Sequence, residues 1–151
     1  MASTDRDRVI VLGQHLGVDE VLGKFDAQQR LTELRLSRLA LAEVPPEVAQ
    51  FTSLEKLYLN ANTITVLPSE IGHLVNLQLL GLRENRLSML PPTFAQLASL
   101  RLLDLGHNQF TALPVDILAQ LRRLELLDIS GNPITTLPPD VSSRLACSIK
   151  R

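Results

Sequence analysis

The strongest constraint on this chain is its period. Leucine-led units begin at Leu31, Leu54, Leu77, Leu100 and Leu124, in steps of 23, 23, 23 and 24 residues. Self-similarity at a fixed spacing means that each unit buries its apolar face only against its neighbours, so the core must form by stacking. The shared pattern is LxxLxLxxNxLxxLPxxIxxLxx, which LEKLYLNANTITVLPSEIGHLVN and LQLLGLRENRLSMLPPTFAQLAS follow nearly throughout. In each unit the fourth and sixth positions (Leu57 and Leu59, Leu80 and Leu82, Leu103 and Leu105) alternate with residues of other kinds. That period of two predicts a strand buried on one face. Equivalent strands a whole repeat apart need a crossover, which predicts parallel pairing. After each LP step the spacing changes to three, as in Ile71 and Leu74 or Phe94 and Leu97. Three-residue spacing behind a proline predicts a short helical or 3₁₀ turn on the return path. In repeat four the expected core is Leu100, Leu103, Leu105, Phe110, Leu113, Ile117 and Leu121. An extra residue before Leu121, and another before Leu145, predicts a bulged or more helical outer turn in repeats four and five.

These residues resemble the leucine-rich-repeat family. The LP step within a 23-residue unit is similar to its intracellular, Ras-suppressor-like scaffold class. The resemblance implies an α/β fold, a right-handed solenoid bent into a horseshoe arc with a parallel sheet on its concave face. About five repeats span residues 31–145. A helical N-terminal cap is expected over residues 1–30, and a C-terminal cap or tail over residues 146–151.

Four asparagines, Asn62, Asn85, Asn108 and Asn132, follow the strands at one register. Where a strand ends and the chain bends inward, buried backbone groups leave the sheet and still need partners. An asparagine amide both donates and accepts, so these four are expected to form a structural ladder between turns, the role that the family gives this position. Repeat one has Leu39 in that slot, with no full repeat before it. At the N-terminus, Val9, Leu12 and Leu16 share one face of a helix over Asp5 to Leu16, with Ser3 or Thr4 as N-cap and Gly13 and Gly17 weakening and ending it. A second short helix is expected over Asp19 to Arg30, with Val21, Leu22 and Phe25 on one side. At the other end Val141, Leu145 and Ile149 predict a small closing helix.

Residues that the core does not use should carry function. Third positions are Glu33, Lys56, Leu79, Leu102 and Leu126, and fifth positions are Arg35, Tyr58, Gly81, Asp104 and Asp128. Arg35, Arg38, Lys56 and Arg83 make the first half of the inner wall basic, whereas Asp104 adjoins Asp128 in the second. Leu79, Leu102 and Leu126 form an apolar row beside Tyr58, the one tyrosine of the chain. The expected partner-binding set is Arg35, Lys56, Tyr58, Leu79, Arg83, Leu102, Asp104, His107, Leu126 and Asp128, and the plainer alternative is a solvated sheet of mixed charge. Tyr58 and Arg83 are the expected anchors, since Tyr and Arg are enriched at binding hot spots.

Catalysis finds little support. His15, His73 and His107 fall on the cap, an outer turn and the inner wall, too scattered for a metal site or a shared base. The paired Asp104 and Asp128 would hold a cation poorly on an open, wet sheet. GQHLGVDEVLGK has the wrong spacing for a phosphate loop, and no Ser or Thr follows Lys24. Neither a cofactor nor a metal is expected, and the chain reads as no enzyme. Its formal net charge of −1 with no concentrated basic surface argues against nucleic acid. A lone Cys147, no basic-then-apolar leader and no long apolar run point to a cytoplasmic protein without a membrane span.

The expected function is therefore a protein-interaction module or scaffold, monomeric or weakly homodimeric, that binds a folded protein on its concave wall. The family resemblance implies a small GTPase, kinase or phosphatase subunit as partner. The alternatives are the recognition part of a larger enzyme or effector system, and a structural protein that self-assembles through its sheet edges.

Overall fold

The computed structural model describes residues 3–137, 139 and 149–150. The chain enters through helix α1 (Asp5–Leu16). Thr4 caps it in a reciprocal box: the Asp7 N–H donates to Thr4 Oγ1 at 3.3 Å, and the Thr4 N–H donates to Asp7 Oδ2 at 2.9 Å. Such an exchange satisfies two of the donors that every helix start leaves open. Gly17, at φ 65°, closes the other end. Leu12 is fully buried, and Val9 and Leu16 pack against the core beside it. The Leu31 N–H donates to Asp5 Oδ2 at 2.8 Å, tying α1 to the first repeat.

The second expected helix is not there. Residues Leu22–Phe25 form strand β1, antiparallel to β2 (Leu31–Arg35). Asp26 decides this locally, because its Oδ1 accepts the N–H groups of Gln28 and Arg30, each at 2.9 Å, and Oδ2 pairs with the Arg30 guanidinium at 2.7 Å. An aspartate that gathers the backbone N–H groups following it builds a turn in place of a helix. Val21 and Phe25 still pack on the core, as the apolar spacing required, but Leu22 faces solvent.

Beyond β2 the strands are β3 (Lys56–Tyr58), β4 (Leu79–Gly81), β5 (Leu102–Asp104), β6 (Leu126–Asp128) and β7 (Ile149–Lys150). They lie side by side in chain order, and β2 to β7 are all parallel. Leu34, Leu57, Leu80, Leu103 and Leu127 stand in register and are fully buried. Phe51, Phe94 and Phe110 fill the core between the sheet and the return segments. Those segments are 3₁₀ turns at Pro46–Gln50, Ser69–His73 and Pro92–Gln96. In repeat four the extra residue turns the same segment into an α-helix, α2 (Val115–Gln120). It also moves the core position: Leu118 is fully buried, whereas the expected Ile117 is only half-buried. Of the expected closing helix, Val141 and Leu145 lie outside the described residues, as does the outer turn of repeat five, and Ile149 stands in β7.

Each strand ends in the same bend. Arg38, Ala61, Glu84 and His107 all have φ between 52° and 62°, and Gly131 has φ 69°. Non-glycine residues hold this left-handed conformation only where their surroundings dictate it. Two sets of bonds do so here. The N–H groups of Arg38, Ala61, Glu84 and His107 each donate to the next repeat, as from Ala61 to the Arg83 carbonyl at 2.8 Å and from Glu84 to the Gly106 carbonyl at 2.9 Å. The asparagine that follows then staples two turns together. Asn85 Nδ2 donates to the Leu59 and Leu82 carbonyls, both at 3.0 Å, while its Oδ1 accepts the Ile64 N–H at 3.1 Å. Asn108 bonds in the same way to Leu82, Leu105 and Leu87. Asn62 and Asn132 complete the series. Leu39, in the asparagine slot of repeat one, has its own N–H satisfied by Asn62 Oδ1 at 3.0 Å.

The cap is also fastened to the outer side, where His15 Nδ1 of α1 stands 2.8 Å from Glu47 Oε1 of the first 3₁₀ turn. Burial pushes the Glu47 carboxyl upward, but its own backbone N–H and then the His15 ring outweigh this and hold it below its ordinary 4.5.

Two outcomes follow for stability. Asn85→Ala or Asn108→Ala should each destabilise the protein by about 1–3 kcal/mol, because one buried N–H, of Ile64 or Leu87, loses its partner and two buried carbonyls each lose one of their two amide donors; unchanged denaturant midpoints would show that the ladder contributes nothing. A carboxylate with a depressed folded pKa stabilises the fold above its unfolded value, and that contribution vanishes as pH falls through the folded value. The native protein should therefore weaken below pH 4.5 more steeply than Glu47→Gln, and superimposable acid-unfolding profiles would refute this.

Candidate interaction face

The residues of the sheet that turn away from the core line up in register. Glu33, Lys56, Leu79, Leu102 and Leu126 form one row across the strands, and Arg35, Tyr58, Gly81, Asp104 and Asp128 form the next. Parallel strands about 4.8 Å apart bring such neighbours into contact.

The first end of these rows is a basic cluster built on one hidden acid. Glu33 is only 4% exposed. Arg35 meets its Oε1 through Nε and Nη2, each at 2.7 Å, and Lys24 of β1 meets Oε2 at 3.0 Å. Burial pushes the Glu33 carboxyl upward, but the bonds from Lys24 and Arg35 prevail and keep it below its ordinary value. The Arg35 guanidinium also lies over the Tyr58 ring, 5.0 Å from its centroid, in the geometry of a cation–π contact. Tyr58 is thus half-buried and held. Arg38 and Lys56 are exposed nearby.

In the middle, Leu79, Leu102 and Leu126 are half-buried along a groove of about 420 Å³, bordered by Lys56, Gln78, Arg101 and Glu125. Arg101 and Glu125 neutralise each other through two hydrogen bonds of 2.9 and 3.0 Å.

The far end is a polar network laid over glycines. The Arg83 N–H donates to Asn60 Oδ1 at 2.9 Å, and that side chain occupies the space above Gly81, where a Cβ would lie 2.8 Å from the same oxygen. The Arg83 side chain in turn crosses Gly106 to reach Ser130 Oγ at 3.4 Å and Asp128 Oδ2 at 3.7 Å. A Cβ on Gly106 would stand 2.5 Å from Arg83 Nη1. His107 lies over Gly131 in the same manner. Asp104 Oδ1 accepts the Gly106 N–H at 2.9 Å, and Asp128 Oδ1 accepts the Ser130 N–H at 2.9 Å and its hydroxyl at 2.6 Å. The two aspartates therefore turn toward the backbone at the strand ends, and Asp128 is buried.

The structure thus unites Arg35 with Tyr58, Arg83 with Asp128, and the three leucines with one another. Lys56 stands at the head of the leucine row, and His107 stands apart, at the bend. Sequence reasoning assigned no particular role to Glu33, Asn60 or Ser130. A signal for them existed: Gly81, Gly106 and Gly131 recur every 25 residues, a diagonal step across a 23-residue repeat. Among the described residues no group of three or more His, Cys, Asp or Glu is placed to hold a metal ion. His15 and His73 lie on α1 and on an outer 3₁₀ turn, and Cys147 is outside the described residues.

The family profile described as Leucine rich repeat matches residues 29–87, 52–110, 76–134 and 98–147. The chain belongs to the leucine-rich-repeat family. Leucine-rich-repeat proteins are in general non-catalytic modules that bind other proteins. Among solved structures the chain is similar to the ectodomain of the receptor kinase SOBIR1 from Arabidopsis thaliana. The two share 26% identity at a TM-score of 0.74, over 99% of this chain and 92% of that one. It is also similar to the leucine-rich-repeat protein LIC12759 of Leptospira interrogans, with 32% identity and a TM-score of 0.59, over 80% of this chain and 36% of the other. The chain thus spans about a third of that leucine-rich-repeat protein. No curated protein matches the sequence. Among the described residues no helix is long and apolar enough to cross a membrane.

Gly106→Ala should leave the repeats folded, since the added methyl presses most on the movable end of Arg83 and its other near contacts, Asp104 Oδ1 and Asp128 Oδ1, are side-chain atoms at 3.1 and 3.3 Å, at a cost of about 1 kcal/mol. It should also abolish the coupling between Arg83 and Asp128, about 0.5 kcal/mol for a partly exposed pair. Double-mutant cycles with Arg83→Ala and Asp128→Asn in both backgrounds measure this, and a coupling that survives the methyl group would contradict the crossing geometry.

Proposed function

We propose that this leucine-rich-repeat chain is a non-catalytic interaction module whose folded protein partner sits on the outward face of the sheet. The observation that carries this reading is the pre-positioning of that face. Arg35 and Tyr58 are locked on Glu33 and on each other, Arg83 is laid across Gly106, and an apolar row between them is left half-open. Side chains already fixed in place lose little freedom on binding, which favours affinity. The family's general role as a binding module points the same way. The likeness to Ras-suppressor-like scaffolds supports a cytoplasmic setting and a small GTPase, kinase or phosphatase subunit as the class of partner.

Cross-linking capture from cells that make the protein, followed by titration of the purified partner, tests the proposal. The double variant Tyr58→Ala/Arg83→Ala should weaken that complex by at least about tenfold, as removal of hot-spot residues does. Undiminished affinity would move the site to the outer turns or an end of the solenoid.

A second reading has one observation in its favour. β1 is the outermost strand beside β2, and its Leu22 is 57% exposed, the kind of edge through which sheets add to one another. Sedimentation of the native chain and of Leu22→Lys would reveal a dimer that the lysine abolishes; a concentration-independent monomer would remove this reading.

A further inference from the structure

The reading of the sheet face as an interaction surface does not say what kind of chain fits it. Resting on that reading, we infer that the face accepts an extended segment of its folded partner carrying aliphatic side chains next to acidic ones, the aliphatic part on Leu79, Leu102 and Leu126 and the acidic part on Lys56, Arg35 and Lys24.

Three observations carry this. First, the acids and bases of the face are unequally presented. Glu33 is 4% exposed, while the two cations bonded to it, Lys24 and Arg35, have side chains that are 68% and 52% exposed. One hidden negative charge thus holds two outward positive ones, and Lys56 and Arg38 add two more exposed cations. Second, the opposing acids are turned inward. Asp104 and Asp128 accept the N–H groups of Gly106 and Ser130, and Asp128 also faces Arg83. They offer a visiting chain far less charge than the basic end does. Of the remaining acids, Glu125 is paired with Arg101 and Glu84 with Arg83, and exposed Glu20 stands beside Arg35 and Tyr58, which leaves the basic end with more outward cations than acids.

Third, the apolar surface is a single row of side chains. Polar Gln78, Arg101 and Glu125 border it on one side, and Gly81, Asp104 and Asp128 on the other. A row one residue wide matches a single file of side chains better than the broad stripe of an amphipathic helix. From β2 to β6 the face spans four strand spacings, about 19 Å, which an extended segment crosses in about six residues. Complementary charge at one end of such a groove fixes the direction in which the segment lies.

Fluorescence anisotropy on the full chain tests this with two labelled heptapeptides. One carries three glutamates followed by alternating leucine and serine, and the other has lysines in place of the glutamates. The acidic peptide should bind saturably and at least about tenfold more tightly than the basic one, with the preference shrinking as salt is raised. Lys56→Glu, at an exposed position, and Leu102→Ser, at a half-buried one, should each weaken it by about fivefold or more, with unchanged circular dichroism spectra. Equal binding of the two peptides, or acidic-peptide binding indifferent to both substitutions, would overturn the inference. If that occurs while Tyr58→Ala/Arg83→Ala still destroys the captured complex, the interaction surface stands and only its proposed occupant is wrong. If capture also survives, both proposals fall.

Discussion

The bend at the end of every strand governs the rest of this molecule. There the chain leaves the sheet while its N–H and C=O groups are still shielded from water, and such groups are costly to bury without partners. The carboxamide of an asparagine satisfies them on two adjacent repeats at once, as Asn85 does with Leu59, Leu82 and Ile64. This fastening fixes the register of neighbouring turns. Fixed register places the buried leucines of successive strands opposite one another, and it equally aligns the residues on the other face. The spine of leucine and the outward rows have one geometric origin.

On that outward face, proximity between repeats produces arrangements that no single repeat contains. Arg35 finds Glu33 within its own strand, but its contact with Tyr58 exists only because β2 and β3 are adjacent. Arg83 reaches two repeats onward because Gly106 leaves the path clear. The face is therefore stiff where polar groups cross glycines and open where the three leucines lie. A stiff, patterned surface favours selectivity in a module of this family.

Much of the fold was legible in the sequence because period is a global property. Leucines at positions four and six, repeated at a fixed step, fit stacked strands, and the extra residue of repeat four was readable as a bulge or as additional helix, of which α2 is the second. The N-terminal cap was less legible. Val21 and Phe25 are four apart and suit either a helix face or a strand with a bulge, and the choice was made by Asp26 gathering the N–H groups that follow it. Helical spacing says nothing of such a local competitor. Charge on the face misled in a similar way. Counting Asp104 and Asp128 as an acidic patch ignored the strand-end amides waiting beside them, and counting Glu33 as outward ignored the two cations that close over it. Residue identity gives the charge of a row; only three-dimensional neighbours give its direction.

The asparagine bonds also have a sense of direction. The oxygen of each amide serves a repeat that comes earlier in the chain: Asn62 serves Leu39 and Leu41, Asn85 serves Ile64, Asn108 serves Leu87, and Asn132 serves Phe110. A ribosome delivers the chain from its N-terminus, so the newest turn always waits, unsealed, for an amide that has not yet emerged. Assembly during synthesis is thereby paced from behind, each coil being locked only by the arrival of its successor.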